Sequence, residues 1–128
     1  MIDLQSPRLS MFTILCVDDE PSINTLHQMI FEAHGYRVIL AADGAEGLLL
    51  FQNEHVDLVI VDYRMPGMTG AEVAAAIRRA DAGLPIIMLS GYIDLPKDVL
   101  KDVDRYLIKG QSPPDVMLKA VQSLLASE

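Results

Sequence analysis

Short apolar segments recur along the chain and predict its β-strands. Each is only a few residues long, most are rich in valine and isoleucine, and none shows strict alternation of apolar and polar positions. Continuous apolar runs of this kind are typical of strands buried on both faces of a parallel sheet. The five predicted strands are Phe12–Val17, Arg37–Ala41, Leu58–Asp62, Pro85–Ser90 and Arg105–Lys109.

Helical periodicity fills the first three intervals between these strands. The first helix begins near Pro21 and ends at Gly35, because proline suits a first turn and glycine a stop. The second spans Asp43–Gln52, and Thr69 caps the third. The side chains predicted to face inward are Ile23, Leu26, Ile30 and Ala33 in the first helix, Ala45, Leu48, Leu49 and Gln52 in the second, and Gly70, Val73, Ala74 and Ile77 in the third.

The fourth and fifth helices are predicted by patterns of different strength. Leu95–Val103 contains Pro96 and several aspartates, so a short or irregular element is expected there. The last helix is predicted to have Ser112 as its N-cap, Pro113 at its first position and Asp115 completing an arrangement that resembles a capping box. Its predicted inward side chains are Met117, Ala120, Val121 and Leu124.

Five alternations of strand and helix predict an α/β fold, (βα)5, with a doubly wound parallel sheet and helices on both faces. At 128 residues and 51% hydrophobic composition, the chain has the size and apolar content of one domain. We expect a polar tail over residues 1–10 and a single domain over residues 11–128 without an output domain.

Charge and composition limit the classes of ligand and partner that the chain is expected to bind. Eighteen acidic residues against ten lysines and arginines give a net charge of −8, which disfavours direct contact with nucleic acid or an anionic membrane. The single cysteine, Cys16, excludes an internal disulfide or a cysteine-based metal site. His27, His34 and His55 have no metal-ligand spacing, so they are interpreted as surface or helix-face residues. Without an apolar run of membrane-spanning or signal-peptide type, the sequence predicts a cytoplasmic protein.

Polar residues stand where four of the predicted strands end. Asp18, Asp19 and Glu20 follow the first strand, and Asp62, Ser90 and Lys109 end the third, fourth and fifth. In a doubly wound sheet these ends share one edge, where ligands bind. Clustered carboxylates without histidine or cysteine suit Mg²⁺, while a lysine and a hydroxyl can contact phosphoryl oxygens. The edge therefore has the residue types for phosphoryl transfer to an aspartate.

Four motifs in these positions resemble the receiver domain of two-component response regulators. The resemblance extends over roughly residues 13–125. The motifs are Leu15-Cys16-Val17-Asp18-Asp19-Glu20, the stretch Val61-Asp62-Tyr63-Arg64-Met65-Pro66-Gly67-Met68-Thr69-Gly70, then Leu89-Ser90-Gly91-Tyr92 and Tyr106-Leu107-Ile108-Lys109. The resemblance implies a flavodoxin-like five-stranded parallel sheet with strand order 2-1-3-4-5.

It also implies a role for each matching residue. Asp62 would accept a phosphoryl group from a histidine kinase, a histidine phosphotransfer protein or a small donor, with self-catalysed phosphorylation and dephosphorylation rather than enzymatic turnover. Mg²⁺ would be bound by the Asp19 and Asp62 carboxylates, by the backbone carbonyl of Arg64, and by Asp18 through a water. Lys109 would contact the phosphoryl group, Ser90 would be the switch hydroxyl and Tyr106 the switch aromatic. Arg64 and Tyr92 match variable positions beside the site.

Other interpretations remain open at this point. The domain could act as a protein-binding module without phosphorylation. A hydrolase with an aspartate nucleophile is less favoured, because Arg64 stands where such phosphatases have a second aspartate. No glycine-rich nucleotide-binding motif follows the first strand.

Two features depart from the family pattern. Gly110 follows Lys109, where the family usually has a proline with a cis peptide bond, so we expect a differently shaped loop, with a trans bond or with strain. The segment between Ser90 and Lys109 is a few residues shorter than usual, which predicts a truncated fourth helix.

Overall fold

The computed structural model describes residues 11–91 and 95–126. Five parallel strands form one sheet in the order β2-β1-β3-β4-β5, as predicted, with helices between consecutive strands. The strands are β1 (Thr13–Val17), β2 (Arg37–Ala41), β3 (Leu58–Asp62), β4 (Ile86–Ser90) and β5 (Arg105–Ile108). The helices are α1 (Pro21–Glu32), α2 (Gly44–Asn53), α3 (Gly70–Ala80), α4 (Lys97–Leu100) and α5 (Pro114–Ala126). The predicted tail over residues 1–10 lies outside the described residues.

Burial explains why the apolar runs are continuous. Every residue of β1, β3 and β4 is buried, since these strands lie inside the sheet and both of their faces are covered. One core cluster contains Leu15, Val59 and Val73, and another contains Ile14, Ile60 and Val121. The edge strand β5 has no fully buried residue.

The third helix forms as the sequence predicts. The Thr69 side chain accepts a hydrogen bond from the Glu72 amide, and the Glu72 carboxylate accepts one from the Thr69 amide, so a full capping box begins the helix. The predicted stripe of Gly70, Val73, Ala74 and Ile77 is buried. This helix is therefore both well capped and amphipathic.

The inward faces predicted for α1 and α2 are only partly correct, since Ile30 and Leu48 pack against the core as partly buried residues. In α1 the buried residues are Asn24, His27 and Phe31, whereas Leu26 is 48% exposed. In α2 the buried residues are two glycines, Gly44 and Gly47, and Leu49 is 56% exposed. The fully buried stripe of each helix includes polar residues or glycines, Asn24 and His27 in α1 and Gly44 and Gly47 in α2, which hydropathy does not identify as inward.

The start of α5 also differs from the prediction. The helix begins at Pro114, and the Pro113 carbonyl accepts its first hydrogen bonds. The Ser112 hydroxyl donates instead to the Ile108 carbonyl, 2.9 Å away, so Ser112 does not cap the helix. Of the predicted inward residues, Met117 and Val121 are buried, and Ala120 and Leu124 are partly buried.

The four-residue α4 confirms the predicted truncation of the fourth helix. Arg78, at the end of α3, binds the chain just after α3 and just before β5. The Arg78 guanidinium donates to the carbonyls of Ala82, Leu84 and Asp102 and to the Asp104 carboxylate. That carboxylate also accepts the Ile86 amide, 2.8 Å away. This guanidinium therefore connects the end of α3 with the residues just before β5, while no residue of α4 is buried.

Candidate functional site

Central strands place the acidic residues of the site. Asp18 follows β1 directly, and Asp62 is the last residue of the neighbouring β3. Because β1 and β3 run parallel, both side chains reach the same edge of the sheet. One carboxylate oxygen from each of Asp18, Asp19 and Asp62 lies within 4.8 Å of the others. Asp18 and Asp62 are buried and Asp19 is exposed.

Lys109 follows β5, the edge strand two positions from β3, and reaches these carboxylates at the same end of the sheet. Its Nζ lies 3.3 Å from Asp62 Oδ1, 3.1 Å from Asp18 Oδ2 and 3.2 Å from Glu20 Oε1. Burial acts to lower the pKa of Lys109, but the contacts with Asp18, Asp62 and Glu20 outweigh it, and the pKa is raised. Lys109 is therefore a protonated ammonium shared by three carboxylates.

The pKa of Asp62 is raised, because the negative charge of its carboxylate is not fully balanced by nearby positive charge. Burial raises its pKa to about 6, and the nearby Asp18 and Asp19 act in the same direction, although Lys109 opposes them. The three clustered oxygens form a hard donor set, and a divalent cation would relieve this repulsion. These residues therefore fit a Mg²⁺ site on the chemistry of their donors.

A cavity of about 650 Å³ opens over this cluster. Its lining includes Asp19, Asp62 and Lys109, so side chains at the ends of three strands, β1, β3 and β5, line a common space together with Arg64 and Gly91. Ser90 is the last residue of β4 and is buried. Its carbonyl accepts the Lys109 amide, 2.8 Å away.

Gly70 permits the loop between β3 and α3 to lie against Asp62. A Cβ at Gly70 would overlap the Asp62 carbonyl oxygen and would lie 2.8 Å from the Tyr63 Cα. The Gly70 amide donates to the Tyr63 carbonyl, 2.7 Å away. The capped end of α3 is consequently packed directly against the backbone of Asp62.

Tyr106 lies on β5 opposite Met88 of β4 and is half-buried. Its hydroxyl is buried without a hydrogen-bond partner among the described residues. Arg64 is exposed at the rim, and Tyr92 lies outside the described residues. The structure thus brings Asp18, Asp19, Asp62 and Lys109 together, with Arg64 in the lining of the cavity and Ser90 at the end of β4. Tyr106 lies on β5, outside the lining of that cavity.

Sequence reasoning missed Asn24, which holds the acidic turn in place. Its buried Nδ2 donates to the Asp18 carbonyl at 3.0 Å and to the Ala41 carbonyl at 2.9 Å, so it ties the ends of β1 and β2 together. His27, one turn further along α1, is buried rather than at the surface, which corrects its interpretation. Burial lowers the pKa of His27, with Asp18 opposing. The spacing of Asn24, His27 and Phe31 was the available signal, because it is that of one helix face.

The doubly wound sheet with an acidic, lysine-containing site at its carboxyl edge is the arrangement that the sequence resemblance implies. The sequence matches the family model described as "Response regulator receiver domain" over residues 14–122. The chain belongs to this family, and the resemblance inferred from its motifs is confirmed.

Solved structures of the family are similar to this chain throughout. The response regulator TrrA of Thermotoga maritima, crystallised with Mg²⁺-BeF, is 36% identical, with a TM-score of 0.84 over 89% of this chain and 99% of that one. TrrA in complex with the histidine kinase ThkA matches at 37% identity, with a TM-score of 0.81 over 90% of this chain and 99% of that one.

Curated relatives extend beyond the matched region. The transcriptional regulatory protein YbdJ of Bacillus subtilis is 36% identical over 84% of this chain and 48% of its own length. The DNA-binding response regulator MtrA of Mycolicibacterium smegmatis is 31% identical over 90% of this chain and 51% of its own length. The chain spans about half the length of these relatives. Because MtrA is a DNA-binding protein, the expectation that nucleic acid is excluded as a direct partner has no support from these comparisons.

In the part of the chain that the structure describes, the helices are all too short or too polar to cross a bilayer.

Proposed function

We propose that this receiver domain accepts a phosphoryl group on Asp62 from a histidine kinase or histidine phosphotransfer protein, or from a small donor, in the cytoplasm. The observation that carries the proposal is the contact of Lys109 Nζ with Asp62 Oδ1 at 3.3 Å, inside a cluster of three carboxylates. The kinase complex of the 37% identical TrrA supports the choice of donor.

Asp62 acts as the nucleophile. With a pKa of about 6 its carboxylate is ionised at neutral pH, so one oxygen can attack the phosphorus of a phosphohistidine. The phosphorus–nitrogen bond breaks, its electron pair goes to the imidazole nitrogen, and an aspartyl phosphate forms. The protein is a self-catalysing acceptor, because the product is its own modified side chain.

Residues around Asp62 position the transferred group. Lys109 neutralises charge on one phosphoryl oxygen, and the Ser90 hydroxyl donates to another. Asp19, Asp62 and the Arg64 carbonyl hold Mg²⁺ in this proposal, with Asp18 acting through a water. When bound, Mg²⁺ supplies positive charge to the carboxylates and the phosphoryl oxygens.

Phosphorylation then acts as a switch for protein contacts. A phosphoryl group competes with Asp18 and Glu20 for Lys109 and draws Ser90 toward the site, which biases a two-state equilibrium. Tyr106 on the adjacent edge strand changes its position with Ser90 and alters the surface around β5. The Mg²⁺-BeF complex of TrrA supports a metal-assisted state of this kind in a close relative.

The test is phosphorylation by a small donor followed by intact mass measurement. We expect Mg²⁺ with acetyl phosphate, or with monophosphoimidazole as a phosphohistidine analogue, to add one acid-stable, base-labile phosphoryl group. Asp62→Asn and chelation of Mg²⁺ should each abolish it. Asp57→Asn is the matched control, because Asp57 precedes the same strand at its opposite end.

Loss of modification in Asp57→Asn, or persistence in Asp62→Asn, would contradict the assignment of the acceptor. A wild-type chain that stays unmodified under every donor would instead favour the phosphorylation-independent binding module.

A further inference from the structure

The chain makes a tight turn directly after β5, at Lys109. Gly110 has a φ of +80°, and the Ile108 carbonyl accepts the Gln111 amide at 3.1 Å. No non-glycine residue in the described ranges has a positive φ, so Lys109 does not. A positive φ at the third position alone is the signature of a type II turn, which requires glycine or asparagine there. The Lys109–Gly110 peptide bond is trans.

Hydrogen bonds hold the backbone on both sides of Lys109. Its amide donates to the Ser90 carbonyl at 2.8 Å, which extends the pairing of β4 and β5 by one residue. The Ile108 carbonyl accepts a second hydrogen bond, from the Ser112 hydroxyl at 2.9 Å. The peptide unit before Lys109 and the one after Gly110 are therefore both held by hydrogen bonds, and the turn between them sets the direction of the Lys109 Cα–Cβ bond.

This direction matters because lysine is a long and flexible side chain that ends in a point charge. Its Nζ must lie between Asp18, Glu20 and Asp62, at 3.1 to 3.3 Å from each. A rotation of the backbone at Gly110 would move the root of the side chain and let the ammonium swing out of the cluster.

We propose that Gly110 is a positioning residue: its left-handed conformation closes the turn that aims Lys109 at Asp62. The inference rests on the proposed function, since Lys109 contributes there as a contact to the phosphoryl group. Gly110 itself touches neither the donor nor the reacting atoms.

The surroundings of Gly110 make this testable by substitution. A Cβ at this position meets no atom within 4 Å, so a side chain acts through the backbone angle and not through a clash. Asparagine tolerates a positive φ better than alanine does, and a β-branched valine tolerates it least. The series Gly, Asn, Ala, Val at position 110 should therefore aim Lys109 progressively less well.

Gly35 supplies a matched control. It follows α1 at the opposite edge of the sheet, has a φ of +90°, and a Cβ there also meets nothing within 4 Å. Substitution of Gly35 should cost comparable folding stability without affecting Lys109.

The first experiment measures the initial rate of phosphorylation by acetyl phosphate with Mg²⁺, below the unfolding temperature of every variant. We expect Gly110→Ala to be about tenfold slower than wild type, which corresponds to the usual strain of a left-handed alanine. Gly110→Asn should lie between them, Gly110→Val should be slowest, and Gly35→Ala should stay within about twofold of wild type. In a Lys109→Gln background Gly110→Ala should have no further effect, because the two changes act through one ammonium.

The second experiment follows Lys109 without phosphorylation. Competitive acetylation of amines, read by mass spectrometry, should show Lys109 more reactive in Gly110→Ala than in wild type or Gly35→Ala, with the other lysines unchanged. This measurement decides the positioning role even if the wild type accepts no phosphoryl group, a result that would overturn only the proposed function.

Three results would overturn the inference: equal phosphorylation rates for Gly110→Ala and Gly35→Ala, additive effects in the Lys109→Gln background, or unchanged Lys109 reactivity. If Gly110→Ala does not fold, Gly110→Asn carries the same comparisons with a smaller expected effect.

Discussion

The two halves of the site are built on different kinds of strand. The carboxylates Asp18 and Asp62 stand at the ends of β1 and β3, in which every residue is buried. Lys109 follows β5, an edge strand without a fully buried residue, and α4 before it has only four residues. The core holds the two carboxylates in place, whereas Lys109 is held by backbone hydrogen bonds and by the turn at Gly110.

This difference indicates which part of the site can move at a low cost in free energy. Segments with few buried apolar contacts open locally at lower free energy than central strands do. A phosphoryl group on Asp62 would therefore rearrange Lys109 and its strand rather than the acidic pair. The following predictions test this asymmetry, beginning with the largest expected effect.

Truncating a leucine in each half compares the strands directly. Leu58 on β3 is 0% exposed, whereas Leu107 on β5 is partly exposed. We expect Leu58→Ala to lower the free energy of unfolding by about 3 to 4 kcal/mol, and Leu107→Ala by about 1 to 2 kcal/mol. Urea unfolding measures both, and equal losses would contradict the asymmetry.

Gly70→Ala tests the packing under Asp62. Its Cβ would overlap the Asp62 carbonyl oxygen, so the loop before α3 must shift, at a cost of about 2 to 3 kcal/mol. Gly83→Ala is the control, because a Cβ there meets nothing nearer than 3.9 Å and the change should be within about 0.5 kcal/mol of neutral. Thermal unfolding compares them, and similar behaviour would mean that the loop is not tightly packed.

Asp62→Asn should stabilise the metal-free protein at neutral pH. The pKa of Asp62 is raised from 3.8 to about 6 on folding, so the ionised side chain disfavours the native state above pH 6. This penalty disappears as the pH falls below 4, where the carboxyl is protonated in both states. We expect a gain of about 2 to 3 kcal/mol at pH 7.5 that vanishes near pH 4, measured by chemical denaturation with a chelator present.

Glu32→Gln removes one exposed carboxylate at the opposite edge and serves as the charge-matched control for that experiment. A gain in Asp62→Asn that is independent of pH, or an equal gain in Glu32→Gln, would show that burial of Asp62 is not its origin.

Glu20→Gln should have the smallest effect. Glu20 pairs with Lys109 at 3.2 Å, but its side chain is 58% exposed, and pairs of this kind contribute about 0.5 kcal/mol or less. Asp18→Asn, at the 3% exposed partner of the same ammonium, should change stability more. Urea unfolding at low and high salt would separate them, and an equal response would mean that exposure does not govern these pairs.

Sequence patterns predicted the sheet well because its strands are buried on both faces. The third helix was predicted equally well, since Thr69 and Glu72 cap it and Val73 and Ile77 face the core. The acidic residues and Lys109 came together as expected, because parallel strands deliver their ends to one edge. The family roles of these residues stay predictions.

The buried faces of α1 and α2 could not be predicted fully from hydropathy. The stripe of Ile23, Leu26 and Ile30 is apolar and lines a cavity of about 480 Å³ beside Lys109, and of the three only Ile30 also packs against the core cluster. The stripe that does touch the sheet carries Asn24 and His27, whose burial depends on hydrogen bonds and neighbours that only tertiary structure supplies. The turn at Gly110 was expected to differ from the family, but its conformation could not be derived from the dipeptide alone.

Arg78 has a consequence for how a signal would travel. Its guanidinium joins the last turn of α3 to the carbonyl of Asp102 and the carboxylate of Asp104, and the Asp104 carboxylate also joins the first residue of β4. A displacement at the start of β5 must therefore either break several charge-assisted hydrogen bonds at once or drag the end of α3 along with it. We therefore expect the end of α3 and the start of β5 to move together.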